Sequence, residues 1–200
     1  DYSKNIIQPR VSQLAATIDN DLANVYKYIS QLVGTAGTTP ATSAVLLAAT
    51  QKLDEAAAPR GDRFAVVNPA ANAALVEGLK GLFNPVSTVS KQFKNGMMSE
   101  GILGLSEMAM SQSIQTHTTG TRLSGATVAT TVSTQGQTTL VITTSGAASQ
   151  TVTLGDVFTI AGVNSVNPQT RQSTGSLQQF VVLADATAAI KRYTDRPLRI

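Results

Sequence analysis

The chain has 200 residues, of which 14% are charged, 4% are aromatic and none is Cys or Trp. Without Cys it cannot form disulfides, zinc-thiolate sites or a catalytic thiol. The formal net charge of +3 rests mainly on four basic residues near the end of the chain, Lys191, Arg192, Arg196 and Arg199. Nucleic-acid binding normally needs a denser basic patch, so we interpret these residues as a solvated chain end.

No apolar run approaches the ~20 residues that a membrane-spanning helix needs, and we recognise no signal peptide. We therefore predict no membrane contact. The chain begins at Asp1 without an initiator Met and stops within a strand-like stretch, residues 197–200. On these grounds we expect it to be a fragment of a longer protein.

The first predicted element is a long amphipathic helix over residues 9–33. Its apolar residues are spaced three and four apart. They form one stripe that consists of Val11, Leu14, Ile18, Leu22, Val25, Ile29 and Leu32. Pro9 suits the first helical turn, and Gly34 suits the position where the helix stops. Polar residues such as Asp19 and Lys27 lie on the opposite side.

A second helix and a short strand are predicted next. Thr42 or Ser43 can cap a helix that continues to about Ala57, because both side chains accept hydrogen bonds from free backbone N–H groups. Residues 63–67 are apolar and follow a turn-forming segment, which predicts a strand. The sequence therefore places one helix and one strand directly after the loop that ends the first helix.

Asn68 and Pro69 predict the start of a third helix that runs toward Phe83, with Asn at the cap and Pro in the first turn. Residues 84–100 show little periodicity and are predicted to form an irregular loop. Residues 103–117 show imperfect alternation of apolar and small polar side chains. We predict a strand there.

The second half of the chain has a different pattern, and no charged residue lies between Arg122 and Asp156. Short runs rich in Thr, Val and Ile alternate with Gly-containing turns at Gly136, Gly155 and Gly175. Six strands are predicted, over residues 127–133, 138–144, 150–154, 157–161, 177–183 and 188–193. Strands at this spacing predict a small antiparallel barrel or sandwich, so the fold class is α+β.

The sequence offers little to a catalytic mechanism. His117 is the single histidine, no Gly-x-Ser-x-Gly motif is present, and no Cys or carboxylate cluster accompanies the imidazole as metal ligands would. The pairs Asp19 with Asp21 and Asp54 with Glu55 point to different helix faces and form no acid–base dyad. We predict no enzyme, no catalytic, cofactor-binding or metal-binding residue, and a His117 that bonds to backbone at a strand end.

Three stretches carry a resemblance to a known family. They read APRGDRFAVVNP at residues 58–69, GLSEMAMSQSIQTHTTG at residues 104–120, and GDVFTIAGVN at residues 155–164, with FVV at residues 180–182. Their order and spacing resemble the major capsid proteins of tailed bacteriophages, which have the Hong Kong 97 fold. More narrowly, the chain resembles the short-tailed-phage coat proteins that carry an inserted β-domain.

The resemblance implies a division into three segments. Residues 1–59 would be the helical part of the peripheral domain, with its spine helix, and residues 60–120 would be part of the axial domain. Residues 121–200 would be the inserted antiparallel β-barrel, although residues 186–200 either close the barrel or return toward the axial domain. The uncharged run would then be an insertion whose two ends lie close together, beside the strand ending at His117.

The resemblance also implies a function. The chain would be a phage or prophage capsid subunit that self-assembles, as full-length protein, into hexamers and pentamers of an icosahedral shell around DNA. Scaffolding and portal proteins, and weak non-specific contact with packaged DNA, would be its other partners. The location would be the virion, after assembly in the bacterial cytoplasm, and no cofactor is implied.

Two points stay open at this stage. Some capsid proteins of this fold are cross-linked through Lys and Asn, but Lys91, Lys94 and Asn95 match no such motif, so we assign no cross-linking site. The alternative function is a secreted or tail-associated β-rich binding or adhesion module with a helical stalk. The Thr- and Gly-rich second half supports that alternative equally well, whereas the strand–helix unit over residues 63–83 and the missing secretion signal argue against it.

Overall fold

The computed structural model describes residues 2–79, 103–121, 128, 139–142, 150–187 and 193–194. Within them the chain forms α1 (Gln8–Ala23), α2 (Ser43–Glu55), β1 (Phe64–Val67), α3 (Pro69–Leu79), β2 (Glu107–Met110), β3 (Thr151–Val152), β4 (Val157–Val166), β5 (Ser173–Val182), β6 (Ala186–Thr187) and β7 (Tyr193–Thr194). The chain divides into two compact units, with α2, β1, α3 and β2 in the first and β3 to β7 in the second.

The predicted N-terminal helix is present, but its bounds differ from the prediction. A π-helical turn over Ser3–Ile7 leads into α1, and a 3-10 helix over Asn24–Tyr28 follows it. Ile29 is already extended, with φ −101° and ψ 123°. The helical run therefore ends before Ile29, and the prediction that it continues to Gly34 was wrong.

The early end of this helix has two physical causes. The residues after Ala23 include Val25, Tyr26, Tyr28 and Ile29, whose β-branched or aromatic side chains lose rotamer freedom in a helix. The extended segment that follows also gains hydrogen bonds that a helix would not make. The side-chain amide of Gln179 accepts from Leu32 N–H and donates to Leu32 C=O, both at 3.0 Å.

The first unit is built from α2, α3 and a two-stranded parallel sheet. The third helix begins as predicted, because the Asn68 side chain caps it by accepting a hydrogen bond from Ala71 N–H at 2.8 Å. Its predicted continuation toward Phe83 lies outside the described residues. A small apolar core joins the helices to the sheet and consists of Leu46, Leu75, Leu79, Leu105 and Met108.

A buried arginine ties the end of α2 to the start of β1. The Arg63 guanidinium donates to Asp54 Oδ1 at 2.8 Å and to the carbonyl oxygens of Ala58 and Pro59 at 2.8 and 2.9 Å. Arg60 adds an exposed ion pair to the same carboxylate. Three acceptors around one guanidinium satisfy a charge that burial would otherwise destabilise.

The predicted strand over residues 103–117 is shorter in the structure, where only β2 is a strand. Leu103 and Gly104 have positive φ values of 53° and 84°, so the chain turns before the strand begins. β2 pairs in parallel with β1 from Phe64 opposite Glu107 to Val67 opposite Met110. Because β1 has four residues, it offers no partner to the rest of the predicted strand.

The second unit contains a long antiparallel hairpin. β4 and β5 pair with Val157 opposite Val181, and β7 pairs with the other edge of β5. Both hairpin strands extend beyond the predicted bounds, and Gly175 lies inside β5 with φ 79° instead of in a turn. Beside this sheet, Leu140, Ile142 and Val182 form a second apolar core.

The mixed helix and strand content confirms the α+β class, but the described strands do not show a six-stranded barrel. They form sheets of two, two and three strands, and Val128 forms an isolated bridge with Ile142. The β4–β5 register shifts between Thr159 and Asn164. Most of the predicted strands over residues 127–133 and 188–193 lie outside the described residues, as does the predicted loop over residues 84–100.

Candidate functional site

The clearest candidate surface is the apolar stripe of α1. Val11, Leu14, Ile18 and Leu22 are 59%, 61%, 53% and 66% exposed, and α1 has no buried residue. The helix sequence places these four side chains on one face because three and four residues correspond to about one turn. The sequence predicted these four residues of the stripe correctly, and the structure exposes them to solvent. The predicted continuation of the stripe was wrong, because Val25 lies in the 3-10 helix and Ile29 is extended.

An exposed apolar stripe on a helix indicates a surface that packs against another protein element. Most helices in proteins are stabilised mainly by packing of their apolar face against other elements. α1 has 16 residues and lacks that packing within the described residues. Contiguous exposed apolar surface typically marks an interaction site, so the α1 stripe is a candidate protein–protein contact.

A second candidate is a half-buried polar cluster around His117. Its Nε2 lies 2.8 Å from Asp156 Oδ1, and its Nδ1 lies 3.4 Å from the Tyr26 hydroxyl. The Tyr26 and His117 rings meet edge to face, with centroids 5.9 Å apart. Because an ionised carboxylate can only accept, Nε2 carries the proton that is donated to Asp156. Burial raises the pKa of the Tyr26 phenol.

Asp156 holds this cluster in place. Its second oxygen, Oδ2, accepts hydrogen bonds from Thr153 N–H at 2.8 Å and from Gly120 N–H at 3.1 Å. Burial by itself would raise the pKa of Asp156, but the hydrogen bonds from Thr153, His117 and Gly120 outweigh it and lower that pKa below its usual value. The carboxylate therefore joins two separate stretches of backbone and one imidazole.

The turn beside the cluster requires glycine. Gly155 has φ 95°, and a Cβ atom there would lie 3.2 Å from Lys27 Cα and 3.3 Å from His117 Cε1. Both the backbone conformation and the close approach disfavour a larger residue. The absence of a side chain at Gly155 allows the turn that carries Asp156 to pack against the His117 imidazole ring.

The arrangement joins separate stretches of the chain. Both His117 ring nitrogens have partners within the subunit, the Asp156 carboxylate and the Tyr26 phenol. In the part of the chain that the structure describes, no three His, Cys, Asp or Glu side chains come together as a metal site would need. The expected backbone partner of His117 was wrong, since the partners are a carboxylate and a phenol. No local motif could have found Asp156, which lies 39 residues away.

The described helices are also too short or too polar to cross a membrane. Lys91, Lys94 and Asn95, which the sequence raised as cross-linking candidates, lie outside the described residues, as do the four basic residues near the end of the chain. The two described candidates are therefore the α1 stripe and the His117 cluster.

Comparison with known families decides between the classes of function considered above. The family described as P22 coat protein, gene protein 5, matches residues 1–192. The chain belongs to the P22 coat protein family. No curated protein matches it. As a member of this family, the chain is a bacteriophage coat protein with a structural role in the capsid, and the virion is its location.

Proposed function

We propose that this coat protein self-assembles into a closed icosahedral shell that encloses the phage DNA, and that the α1 stripe contributes a contact on which assembly depends. The observation that carries the proposal is the family match over residues 1–192, joined to a helix whose apolar face is open to solvent. The match favours this function over a secreted or tail-associated adhesion module.

The surface chemistry of the chain supports the proposal. Charged residues make up 14% of the chain, against ~25% in typical soluble proteins, which reduces the cost of bringing copies together. The central parts of protein interfaces are depleted in charge and enriched in apolar groups. The four α1 side chains have that character, and closed shells require many such contacts to repeat by symmetry.

The finer features belong to the same proposal. These are the Hong Kong 97-like fold, an inserted barrel within residues 121–200, and the division at residues 59 and 120. Hexamers and pentamers of the full-length protein, assembled in the bacterial cytoplasm, would build the shell. Scaffolding and portal proteins and weak non-specific contact with DNA complete the proposed set of partners.

Electron microscopy of the full-length phage protein tests the proposal. The expected result is uniform closed particles from the wild-type protein and loss of particles when Leu14 and Ile18 are both replaced by Asp. Ser12→Asp is the matched control, because Ser12 is exposed on the same helix and lies off the stripe. Wild-type protein that stays monomeric under conditions where a phage coat protein should assemble, and that binds glycans or cells, would contradict the proposal.

A further inference from the structure

The charges beside the α1 stripe point to the partner that covers it. We propose that α1 packs antiparallel against α1 of a second copy of this chain, so that Arg10 of each copy pairs with Asp21 of the other. This inference rests on the proposed function, because it identifies the partner of the α1 stripe. It adds an orientation, a register and a symmetry to that contact.

The helix spacing places the relevant side chains together. Eleven residues are close to three full turns at 3.6 residues per turn, so positions eleven apart lie on the same side of a helix. Val11 and Leu22 therefore share the stripe, and Arg10 and Asp21 share one of its flanks. A basic residue thus stands near the start of the stripe and an acidic residue near its end, on the same side.

Only the antiparallel arrangement brings these opposite charges together. A two-fold axis perpendicular to the helices, level with Ala16, sets Val11 of one copy opposite Leu22 of the other, and Leu14 opposite Ile18. Residues on the same flank then meet across the axis, so Arg10 faces Asp21 twice. A parallel pair in register would instead put the Arg10 side chains of the two copies on opposite flanks of the contact, and likewise the Asp21 side chains, so that no Arg10–Asp21 pair would form.

Both charged residues are available for this contact. Arg10 and Asp21 are exposed, and within the described part of the subunit neither takes part in an ion pair. The antiparallel arrangement also sets the positive end of each helix dipole beside the negative end of the other. Apolar contact supplies the affinity, and the charge pairs select the orientation.

Cysteine cross-linking tests the register directly, because residues 1–200 contain no Cys. Single variants Val11→Cys and Leu22→Cys are mixed, oxidised and run on a non-reducing gel, with Ser12→Cys mixed with Leu22→Cys as the off-stripe control. The expected result is a cross-linked dimer from the Val11→Cys and Leu22→Cys mixture, and none from either variant alone. In an antiparallel pair, Val11 of one copy lies about ten residues from Val11 of the other along the helix axis, and the same holds for Leu22. This separation of roughly 15 Å is too long for a disulfide.

Charge reversal gives a second, independent test. Arg10→Asp and Asp21→Arg are each expected to weaken self-association roughly tenfold in analytical ultracentrifugation, because each creates two like-charge contacts. The double variant and an equimolar mixture of the two single variants are both expected to recover the wild-type value. Asp62→Arg, on a loop of the first unit, is the control for a change of net charge.

Different results separate this inference from the proposed function. Closed particles that form without the Val11–Leu22 cross-link, or single variants that cross-link to themselves, would overturn the antiparallel pairing and leave the shell proposal standing. Charge-reversed single variants that associate like wild type would overturn it as well. Cross-linked antiparallel dimers from a full-length protein that never forms particles would support the pairing and contradict the shell.

Discussion

The imidazole Nε2 of His117 and the carboxylate Oδ1 of Asp156 lie 2.8 Å apart, although 39 residues separate them in the sequence. The other oxygen of this carboxylate, Oδ2, accepts a hydrogen bond from Gly120 N–H. The two chain segments that flank the uncharged run are therefore joined by one side chain. The residues that flank the run therefore lie close together beside His117, as expected, although the strand expected to end at His117 ends at Met110.

Removal of the Asp156 charge should destabilise the second unit. Asp156→Asn leaves only one acceptor oxygen for hydrogen bonds that now come from His117, Gly120 and Thr153. We expect a loss of about 1–3 kcal/mol in the free energy of unfolding, measured by urea denaturation. Asp62→Asn is the control, and an equal loss there would show that the Asp156 network contributes nothing specific.

Stability should also fall in acid through Asp156. Its pKa in the folded protein is lowered, so its contribution is fully present above the unfolded value of about 3.9 and is lost as pH falls through the lower folded value. Denaturation midpoints measured from pH 6 to pH 2 should therefore drop in this range. The Asp156→Asn variant should show a shallower decline than wild type. Parallel curves for the two proteins would contradict the assignment.

Arg63 should matter far more to stability than its neighbour Arg60. The Arg63 side chain is 7% exposed and bonds three acceptors, whereas the Arg60 side chain is 83% exposed. Arg63→Ala leaves the carbonyl oxygens of Ala58 and Pro59 without their donor, while Asp54 keeps only Arg60, and it should cost about 1–3 kcal/mol in unfolding free energy. Arg60→Ala should cost at most about 0.5 kcal/mol. Similar losses from the two variants in thermal denaturation would disprove the difference.

Gly120 should tolerate no side chain. A Cβ atom there would meet the Thr151 backbone, including its carbonyl oxygen, and would lie 2.8 Å from Val152 Cα. Gly120→Ala should therefore lower the unfolding free energy by at least about 2 kcal/mol, because a backbone contact cannot move aside like a flexible side chain. Gly61→Ala is the control, since nothing lies within 4 Å of a Cβ at that position. Unchanged stability of Gly120→Ala by calorimetry would contradict the packing described.

Local signals in the sequence were sufficient for several elements. The Asn68-Pro69 cap specified the start of α3, and the three-four spacing specified the apolar face of α1, because both depend on residues within a few turns of each other. The family resemblance was likewise carried by contiguous stretches, and the match over residues 1–192 confirms the coat-protein identity.

Tertiary structure decided the features that depend on distant residues. One of the two causes of the early end of the first helix is Gln179, which bonds Leu32 from a strand in the second half of the chain. The length of β2 depends on the four residues of β1, and the partners of His117 depend on a turn 39 residues away. Sequence alone thus determined the helix faces and the family, since those patterns are local. Only the fold determined where strands stop and which polar groups meet, because pairing and burial join residues that no local pattern connects.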